Sequence, residues 1–348
     1  MLLDTLVLQH FRLFEQITYS FHPRLTIIIG ENTRGKTSML EGIYTIIFGE
    51  GFRETKEEEL ITWEKERCNI AASFKTQSED RFEFQIMMRR NGDKVEKVYS
   101  VDKAKKTHYS YLQYQTRAVL FTPDNIEIIT GSPSGRRHYF DKLLSAVDIE
   151  YKKKLSNYEN ALRRRNKVLE TVRNDIQLME ELQFWDEYLV ENGNYVTAKR
   201  EDYVKYLNDH KELDDRIFSI TYLKNEFSKQ RLKERFDLEK RMRKTSIGPQ
   251  KDDYEIHLEN DISKNVQLYG SRSEQRLAMF WLKLNEIVTM EERTGKKPLL
   301  LLDDVFSELD IANKKRVMSL IDKYQTILTT TEEELLEMSE QSMEVIRL

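Results

Sequence analysis

The residues best suited to chemistry lie near the start of the chain, where residues 30–37 read G-x-x-x-x-G-K-T after an apolar run. Gly30 and Gly35 let the backbone turn its N–H groups toward phosphate oxygens, and Lys36 supplies a cation for the β- and γ-phosphates. Thr37 offers its hydroxyl to Mg²⁺. The segment therefore predicts a site for ATP or GTP. Its predicted nucleotide-binding residues are Gly30, Glu31, Asn32, Thr33, Arg34, Gly35, Lys36 and Thr37.

Two acids, Asp303 and Asp304, end the buried-looking run at 299–302. A Mg-nucleotide site requires a carboxylate at the carboxyl edge of a sheet, where open α/β sheets bind their ligands. We expect Asp303 to hold the metal together with Thr37. Asp304 is then placed to orient or deprotonate an attacking water, so Asp304 and Lys36 are the predicted catalytic residues.

Changes of hydrophobic period indicate which elements position these residues. The first part of the chain alternates like strands, except for a helix predicted over 38–48 after the glycine-rich segment. Residues 136–244 lack a convincing strand pattern, and their apolar residues recur at helical spacing. Strand signals return at 254–258, followed by a helix from Ser273 and the strand at 299–302. We expect an α/β fold whose nucleotide domain is split into 1–135 and 246–348 around a helical arm at 136–245.

Composition narrows the class of protein. The 348 residues carry a formal net charge of −4, so any basic surface for nucleic acid must be local. Charged residues make up 33% of the chain, which favours long solvated helices. A single cysteine excludes an internal disulfide framework, and no apolar run reaches membrane-spanning length. We therefore expect a cytoplasmic protein.

Three further segments are similar to the ATPases of the ABC class. Residues 269–277, at the head of a predicted amphipathic helix, resemble a degenerate S-x-G-Q signature, in which Ser271 would reach the γ-phosphate held by another subunit. Residues 307–310 resemble the D-loop of the same class and end in Asp310. Residues 329–331 fall where that class places a residue that senses the γ-phosphate. The resemblance implies a composite site completed by a dimer.

Taken together, the motifs resemble one family, RecF, a relative of the SMC head ATPases without the long coiled coil. The resemblance covers nearly the whole chain, at 8–12, 30–41, 51–53, 121–124, 131–141, 158–166, 248–253 and 300–310. It implies an ABC-type, SMC head-like fold that binds ATP and Mg²⁺ as a homodimeric clamp. The clamp would close on duplex DNA at single-strand gaps and junctions, hydrolyse ATP weakly, and help RecO and RecR to load a recombinase. Arg12 matches a phosphate-side cation.

Several positions depart from the family pattern. Thr33 replaces a third glycine of the loop, and Ser38 replaces the asparagine after Lys-Thr. In the signature, Ser273 replaces glycine and Glu274 replaces glutamine, so we expect a carboxylate to face the partner's γ-phosphate and to repel it. Gln250-Lys251 replace a His-Arg pair. We therefore expect slow turnover, and we expect Ser273→Gly with Glu274→Gln to raise it.

Contacts to DNA are harder to assign, because a duplex held without reading its sequence requires only Lys and Arg against phosphates. The predicted DNA-binding residues are Arg136, Arg137, Arg163, Arg164 and Arg165. Basic runs at 103–106, 152–154 and 240–244 are further candidates. Two alternatives remain open: an ATP-binding scaffold that does not hydrolyse its nucleotide, and another SMC-like enzyme, such as an anti-phage ATPase.

Overall fold

The computed structural model describes residues 1–53, 56–76, 78–92, 94–114, 117–213, 215–259, 262–306, 311–331, 333 and 343–348. The chain forms two compact units, one of Met1–Pro123 with Met290–Leu348 and the other of Asp124–Thr289. The domain boundaries expected from the sequence, 1–135, 136–245 and 246–348, stay a prediction. They differ from those of the compact units, because residues 246–289 belong to the second unit.

Strands and helices are numbered in chain order within the described residues. The strands are β1 Leu2–Phe11, β2 Phe14–Ser20, β3 Leu25–Ile29, β4 Arg67–Lys75, β5 Arg81–Asn91, β6 Lys94–Val101, β7 Ala104–Lys106, β8 Ala118–Phe121, β9 Glu212–Leu213, β10 Arg216–Leu223, β11 Asp253–Glu259, β12 Lys264–Asn265, β13 Leu299–Asp303, β14 Thr326–Thr330 and β15 Glu344–Arg347. The helices are α1 Lys36–Phe48, α2 His108–Gln113, α3 Glu127–Thr130, α4 Pro133–Val147, α5 Ile149–Thr171, α6 Asp175–Asp209, α7 Lys229–Met242, α8 Val266–Tyr269, α9 Arg272–Thr294 and α10 Ile311–Ile321.

A parallel sheet in the first unit carries the predicted nucleotide site. Its order is β15-β3-β14-β13-β8, and its neighbouring strands are parallel. Strands β3, β13 and β14 are buried along their whole length, which explains their uninterrupted apolar or threonine-containing runs. Because parallel strands end at a common edge, the loop after β3 and the acids at the end of β13 lie at the same edge. The buried strand predicted at 299–302 is confirmed.

An antiparallel sheet of order β2-β1-β4-β5-β6-β7 completes the first unit, and α1 belongs to the core cluster that both sheets share. Helix α1 is buried on nearly every face, as expected of a helix that is apolar all round. Gly42 allows this close approach, because a Cβ there would lie 2.8 Å from a methyl carbon of Leu8. The helix predicted after the glycine-rich segment is thereby confirmed.

The second unit combines helices α4 to α7 with an antiparallel sheet of order β12-β11-β10-β9. The expectation of no strand between 136 and 244 was wrong, since β10 lies there and pairs with β11. The alternation of buried Phe218 and Ile220 with more exposed neighbours is a period-two signal that the helical pattern on either side obscured. None of the described helices is long and apolar enough to cross a membrane.

Candidate nucleotide-binding site

The glycine-rich loop joins β3 to the first turn of α1 and requires glycine at two positions. A Cβ on Gly30 would lie 2.8 Å from the carbonyl oxygen of Leu348, and one on Gly35 would lie 2.7 Å from the Phe14 ring. Gly35 also has a φ of 104°, in the left-handed region. Thr33 has a φ of 72°, which is strained for a β-branched residue. The departure at Thr33 therefore falls where the backbone favours glycine.

Loop residues 31–34 are exposed, whereas Lys36 is buried with 7% of its surface accessible. The Lys36 ammonium donates to the carbonyl oxygens of Gly30 at 2.7 Å and Glu31 at 2.9 Å. The cation is thus held inside the curve of the loop rather than extended into solvent. Arg34 lies 3.7 Å from the Glu31 carboxylate across the outer face, and Asn32 accepts a hydrogen bond from the Thr33 hydroxyl.

The hydroxyl of Thr37 donates to Oδ1 of Asp303 at 2.9 Å, although the two residues are 266 positions apart. Thr329, on the neighbouring strand β14, donates to the same oxygen at 2.8 Å. Burial raises the pKa of the Asp303 carboxyl, against the opposing effect of these two hydrogen bonds. The structure thereby brings together the two residues predicted to hold the metal.

Asp304 follows in a left-handed conformation, with a φ of 50°. Its backbone N–H donates to Thr329 at both the hydroxyl oxygen, 3.0 Å away, and the carbonyl oxygen, 3.2 Å away. Thr329 therefore fixes the side chain of one acid and the backbone of the next. The sequence analysis assigned residues 329–331 to the γ-phosphate and missed this role, for which the sequence of β14 carries no distinguishing signal.

Arg12 lies beside the loop but is engaged with a buried carboxylate. Its guanidinium donates twice to Glu41 on α1, at 2.7 and 2.9 Å, and Arg53 donates to the same carboxylate at 2.7 Å. Burial would raise the pKa of Glu41, but the two guanidiniums hold it below its usual range. Arg53 also reaches the Ser38 hydroxyl at 3.2 Å. Two cations therefore share one fully buried acid beside the first turn of α1.

This arrangement joins Arg12, which the sequence analysis had assigned, to Arg53, which it had not. Arg12, Ser38 and Arg53 line a cleft of about 710 Å³, together with Trp63, whose side chain is 84% exposed. The signal available in the sequence was Glu41, the only acid in a helix whose residues 39–48 are mostly apolar. Such an acid, when buried, requires cationic partners.

The segment that resembles the signature differs from the expectation. Glu274 does not project from the start of α9, because its carboxylate accepts from the Ser271 N–H at 2.7 Å and from Lys264 at 2.6 Å. The hydrogen bond from Lys264, followed by those from Ser271, lowers the pKa of Glu274 to about 2. Ser271 and Ser273 are exposed. The carboxylate is thus bonded to the start of its own helix and to Lys264, and its repulsion of a partner's γ-phosphate stays a prediction. Asp310, with the rest of 307–310, lies outside the described residues.

The predicted DNA-binding arginines divide into two groups. Arg136 and Arg165 are 3% and 1% exposed, so neither presents its charge to a duplex. Arg136 forms a two-point pair with Asp253, and Arg165 is bonded to Asp186, Glu239 and Thr245. Naming them as DNA contacts was wrong for this conformation, because buried arginines with carboxylate partners stabilise packing.

The other three predicted arginines remain accessible. Arg137 is half-buried and donates to the carbonyl oxygen of Asp252 at 2.7 Å, while Arg163 and Arg164 are exposed on α5. Arg163 lines a cleft of about 570 Å³ with further cations from the end of α7. The cleft's basic residues are Arg163, Lys167, Arg243 and Lys244.

Comparison with known proteins places the site in a family. A family model described as RecF/RecN/SMC N terminal domain matches residues 2–347. One relative is the "DNA replication and repair protein RecF" of Exiguobacterium sp. strain AT1b. It is 33% identical to this chain, over 94% of this chain and 92% of the relative. The RecF of Ligilactobacillus salivarius is also 33% identical, over 95% of this chain and 91% of its own length.

Solved structures agree with these relatives. The structure described as that of the recombination mediator protein RecF-ATP in the RecFOR pathway is 27% identical, with a TM-score of 0.86, over 99% of this chain and 95% of the other. An SMC head bound to a domain of ScpA shares the fold, with a TM-score of 0.55 at 16% identity. The loop, the buried acid at the end of β13 and the match across nearly the full length identify an ATP-binding protein of DNA repair, replication and recombination. The chain belongs to the RecF family, within the RecF/RecN/SMC class of ABC-type ATPases.

Proposed function

We propose that this protein is an ATP-dependent homodimeric clamp that acts in recombinational DNA repair. The hydrogen bond between Thr37 and Asp303 carries the proposal, because it joins the phosphate loop to the acid of a buried strand. Hydroxyl and carboxylate oxygens 2.9 Å apart suit Mg²⁺, which prefers oxygen ligands and is commonly held by one or two protein side chains together with phosphates. Thr37 and Asp303 would hold it there, where it neutralises phosphate charge when bound.

The residues around this pair are arranged to bind and position ATP. The backbone of residues 30–35 would donate to phosphate oxygens, and Lys36 would exchange its two loop carbonyls for the β- and γ-phosphates. Asp304 would orient the attacking water and accept its proton. Arg12 and Arg53 would remain tied to Glu41, close enough to the loop to add positive potential. Catalysis in such a site is mostly positioning and electrostatic stabilisation.

Completion of the site by a second copy of the chain is part of the proposal. Ser271, at the start of α9, and Asp310 would approach the γ-phosphate held by the other subunit, so that ATP closes the dimer and hydrolysis opens it. The dimer would hold duplex DNA at single-strand gaps and junctions. It would assist RecO and RecR in loading the recombinase, in line with the pathway for which the related structures are described.

The accessible arginines of the second unit supply the proposed DNA surface. Arg163 and Arg164 lie on α5, and Arg163 shares its cleft with Arg243 and Lys244 from the end of α7. Buried Arg165 supports this arrangement, since its bonds to Glu239 and Thr245 tie α5 to residues 239–245. Two basic runs about 80 positions apart thus form one surface, suited to phosphates of a duplex rather than to base edges.

The experiment that tests the clamp is the oligomeric state of the purified protein, measured by sedimentation with and without ATP and a gapped duplex. We expect a dimer only when ATP is present, and no dimer for Lys36→Ala. A wild-type protein that stays monomeric under every condition would refute the clamp.

A second candidate, an ATP-binding scaffold without hydrolysis, is favoured by the strained Thr33 and by Glu274 at the signature. Phosphate release in the presence of gapped duplex distinguishes the two. We expect slow release that Asp304→Asn abolishes while ATP binding remains. Retained ATP-dependent dimerisation without any phosphate release in the wild type would favour the scaffold.

A further inference from the structure

The N-terminus of α9 is closed by a side chain from its own first turn. The Ser271 N–H donates to Oε2 of Glu274 at 2.7 Å, and the Glu274 N–H donates to the Ser271 hydroxyl oxygen at 3.3 Å. This reciprocal pair is a capping box, which satisfies two N–H groups that a helix otherwise leaves open. The groups that it occupies are those that a helix start offers to a phosphate.

Lys264 holds the same carboxylate from the other side. Its ammonium lies 2.6 Å from Oε1 of Glu274, so both carboxylate oxygens are engaged. Lys264 belongs to β12, which is paired to β11 through Leu258 and His257. The ion pair is only partly exposed, at 31% for the Lys264 side chain and 23% for that of Glu274. A capping box needs no such lysine, so the additional contact fixes the carboxylate in place beyond what capping requires.

These contacts place a negative charge at the start of α9, where it opposes the binding of another anion. A phosphate that approaches Ser271 would have to displace Glu274 from the Ser271 N–H, or else lie beside a second negative charge. If Glu274 swings away, Lys264 is released and its charge becomes available to that phosphate. The same two residues therefore oppose the phosphate in one arrangement and favour it in the other.

We infer that Glu274 and Lys264 form a latch at the start of α9, which must open before ATP bound to a second subunit can engage Ser271. The latch is a device of regulation at the proposed composite site, and the inference therefore rests on the proposed function. It sets the ATP-dependent association of two subunits, not the binding of ATP to one. In the latch, the Glu274 carboxylate and the incoming phosphate compete for the same donor, the Ser271 N–H.

The test measures the dissociation constant of the dimer at saturating ATP by sedimentation, and the affinity of the monomer for ATP by fluorescence titration. We expect Glu274→Gln to tighten the dimer about tenfold, because hydrogen bonds to a charged acceptor are roughly twice as strong as neutral ones. Lys264→Met should weaken it, because Glu274 keeps its bond to the Ser271 N–H and the open latch no longer offers a lysine charge to the phosphate. ATP affinity of the monomer should be unchanged in both variants.

A latch is distinguished from an ordinary helix cap by opposite effects of Glu274→Gln and Lys264→Met on the dissociation constant of the dimer. If Glu274 only stabilises the helix, both variants will lower the unfolding temperature and weaken the dimer together, which would overturn the inference. Glu292→Gln, an equal change of charge at an exposed position near the end of α9, is the matched control and should leave the dimer unchanged. If wild type and Glu274→Gln both stay monomeric with ATP, the clamp itself is refuted and the latch falls with it, whereas equal dimerisation refutes the latch alone.

Discussion

Thr329→Val is the substitution that most directly tests the geometry of the acid pair. Thr329 is fully buried, and its hydroxyl donates to Asp303 at 2.8 Å and accepts from the Asp304 N–H at 3.0 Å. Valine keeps the shape and removes both contacts. Asp303 would retain the bond from Thr37, and the Asp304 N–H would retain the Thr329 carbonyl oxygen. The fold should therefore survive the change.

The magnitude follows from the two lost contacts. A hydrogen bond to a charged group contributes about 1.5–3 kcal/mol, so we expect the free energy of unfolding to fall by about that amount. Misplacement of a reacting group by about 1 Å can reduce a rate on the order of a hundredfold. With the side chain of Asp303 and the backbone of Asp304 both less restrained, we expect ATP turnover to fall roughly ten- to a hundredfold.

Thr326→Val on the same strand is the control. Thr326 is equally buried, and its hydroxyl donates to the Tyr324 carbonyl oxygen at 3.0 Å and accepts from the His22 N–H at 2.9 Å. It therefore loses as many hydrogen bonds as Thr329→Val, but away from the acids. Urea unfolding should show similar losses of stability, while phosphate release with gapped duplex should fall only for Thr329→Val. Equal turnover in the two variants would refute the role assigned to Thr329.

Four other predictions follow from charges and strain. Arg165→Met should cost about 3–5 kcal/mol in urea unfolding, because Glu239 is left buried without its partner. Arg163→Gln should change stability by less than about 0.5 kcal/mol and should lower the salt dependence of duplex binding by about 0.9 in log–log slope. Thr33→Gly should raise the free energy of unfolding by about 0.5–1 kcal/mol, since relief of left-handed strain exceeds the added entropy of the unfolded chain. The pKa of Glu274 is lowered from 4.5 to about 2, so its stabilising effect is present above pH 4.5 and is lost as pH falls toward 2. In the wild type, the unfolding temperature should therefore fall across this pH range. Glu274→Gln should make that fall smaller, as measured by thermal unfolding at each pH.

The outline of the nucleotide site could be predicted because each of its parts follows an unmistakable strand. Two apolar runs, each ending in residues of the right chemistry, are sufficient to place the loop and Asp303 at one edge of a parallel sheet. Nothing comparable marks Thr329, since β14 contains threonines at 326, 329 and 330 and all three are buried. Which hydroxyl meets the acids depends on the register between β13 and β14, where Asp303 lies opposite Thr329. Sequence alone does not give that register.

Arg165, within the arginine run at 163–165, was misassigned for a reason that helix geometry makes clear. Three consecutive residues on a helix point about 100° apart, so they cannot share one surface. Tyr158, Ala161, Arg165 and Leu169 recur at spacings of three and four, and all four are buried. The spacing thus placed Arg165 on the apolar face of α5, and it required buried acids elsewhere in the chain to accept the charge.

Glu274 has a local role that the sequence analysis missed. Serine followed three positions later by glutamate is the pattern of a capping box, and that local interaction forms in the structure. Alignment with a signature that has glutamine at this position directs attention to a distant phosphate instead. Local hydrogen bonds close at little entropic cost, because the two residues already lie on one turn. A local partner should therefore be tested before a distant one.

Strain at the nucleotide site links these observations to the first prediction. Thr33 and Asp304 both adopt a positive φ, and such residues cost about 1–3 kcal/mol each unless their surroundings hold them. Asp304 is held, since Thr329 accepts its N–H through two oxygens and aspartate tolerates this conformation better than β-branched residues do. The Thr33 hydroxyl donates to the adjacent carbonyl oxygen of Asn32, which lies in the same loop. The strained backbone at Asp304 is thus held in place by Thr329. The strain at Thr33, in contrast, lies in a side chain that the fold does not require. Function should therefore depend on Thr329 and should tolerate glycine at position 33.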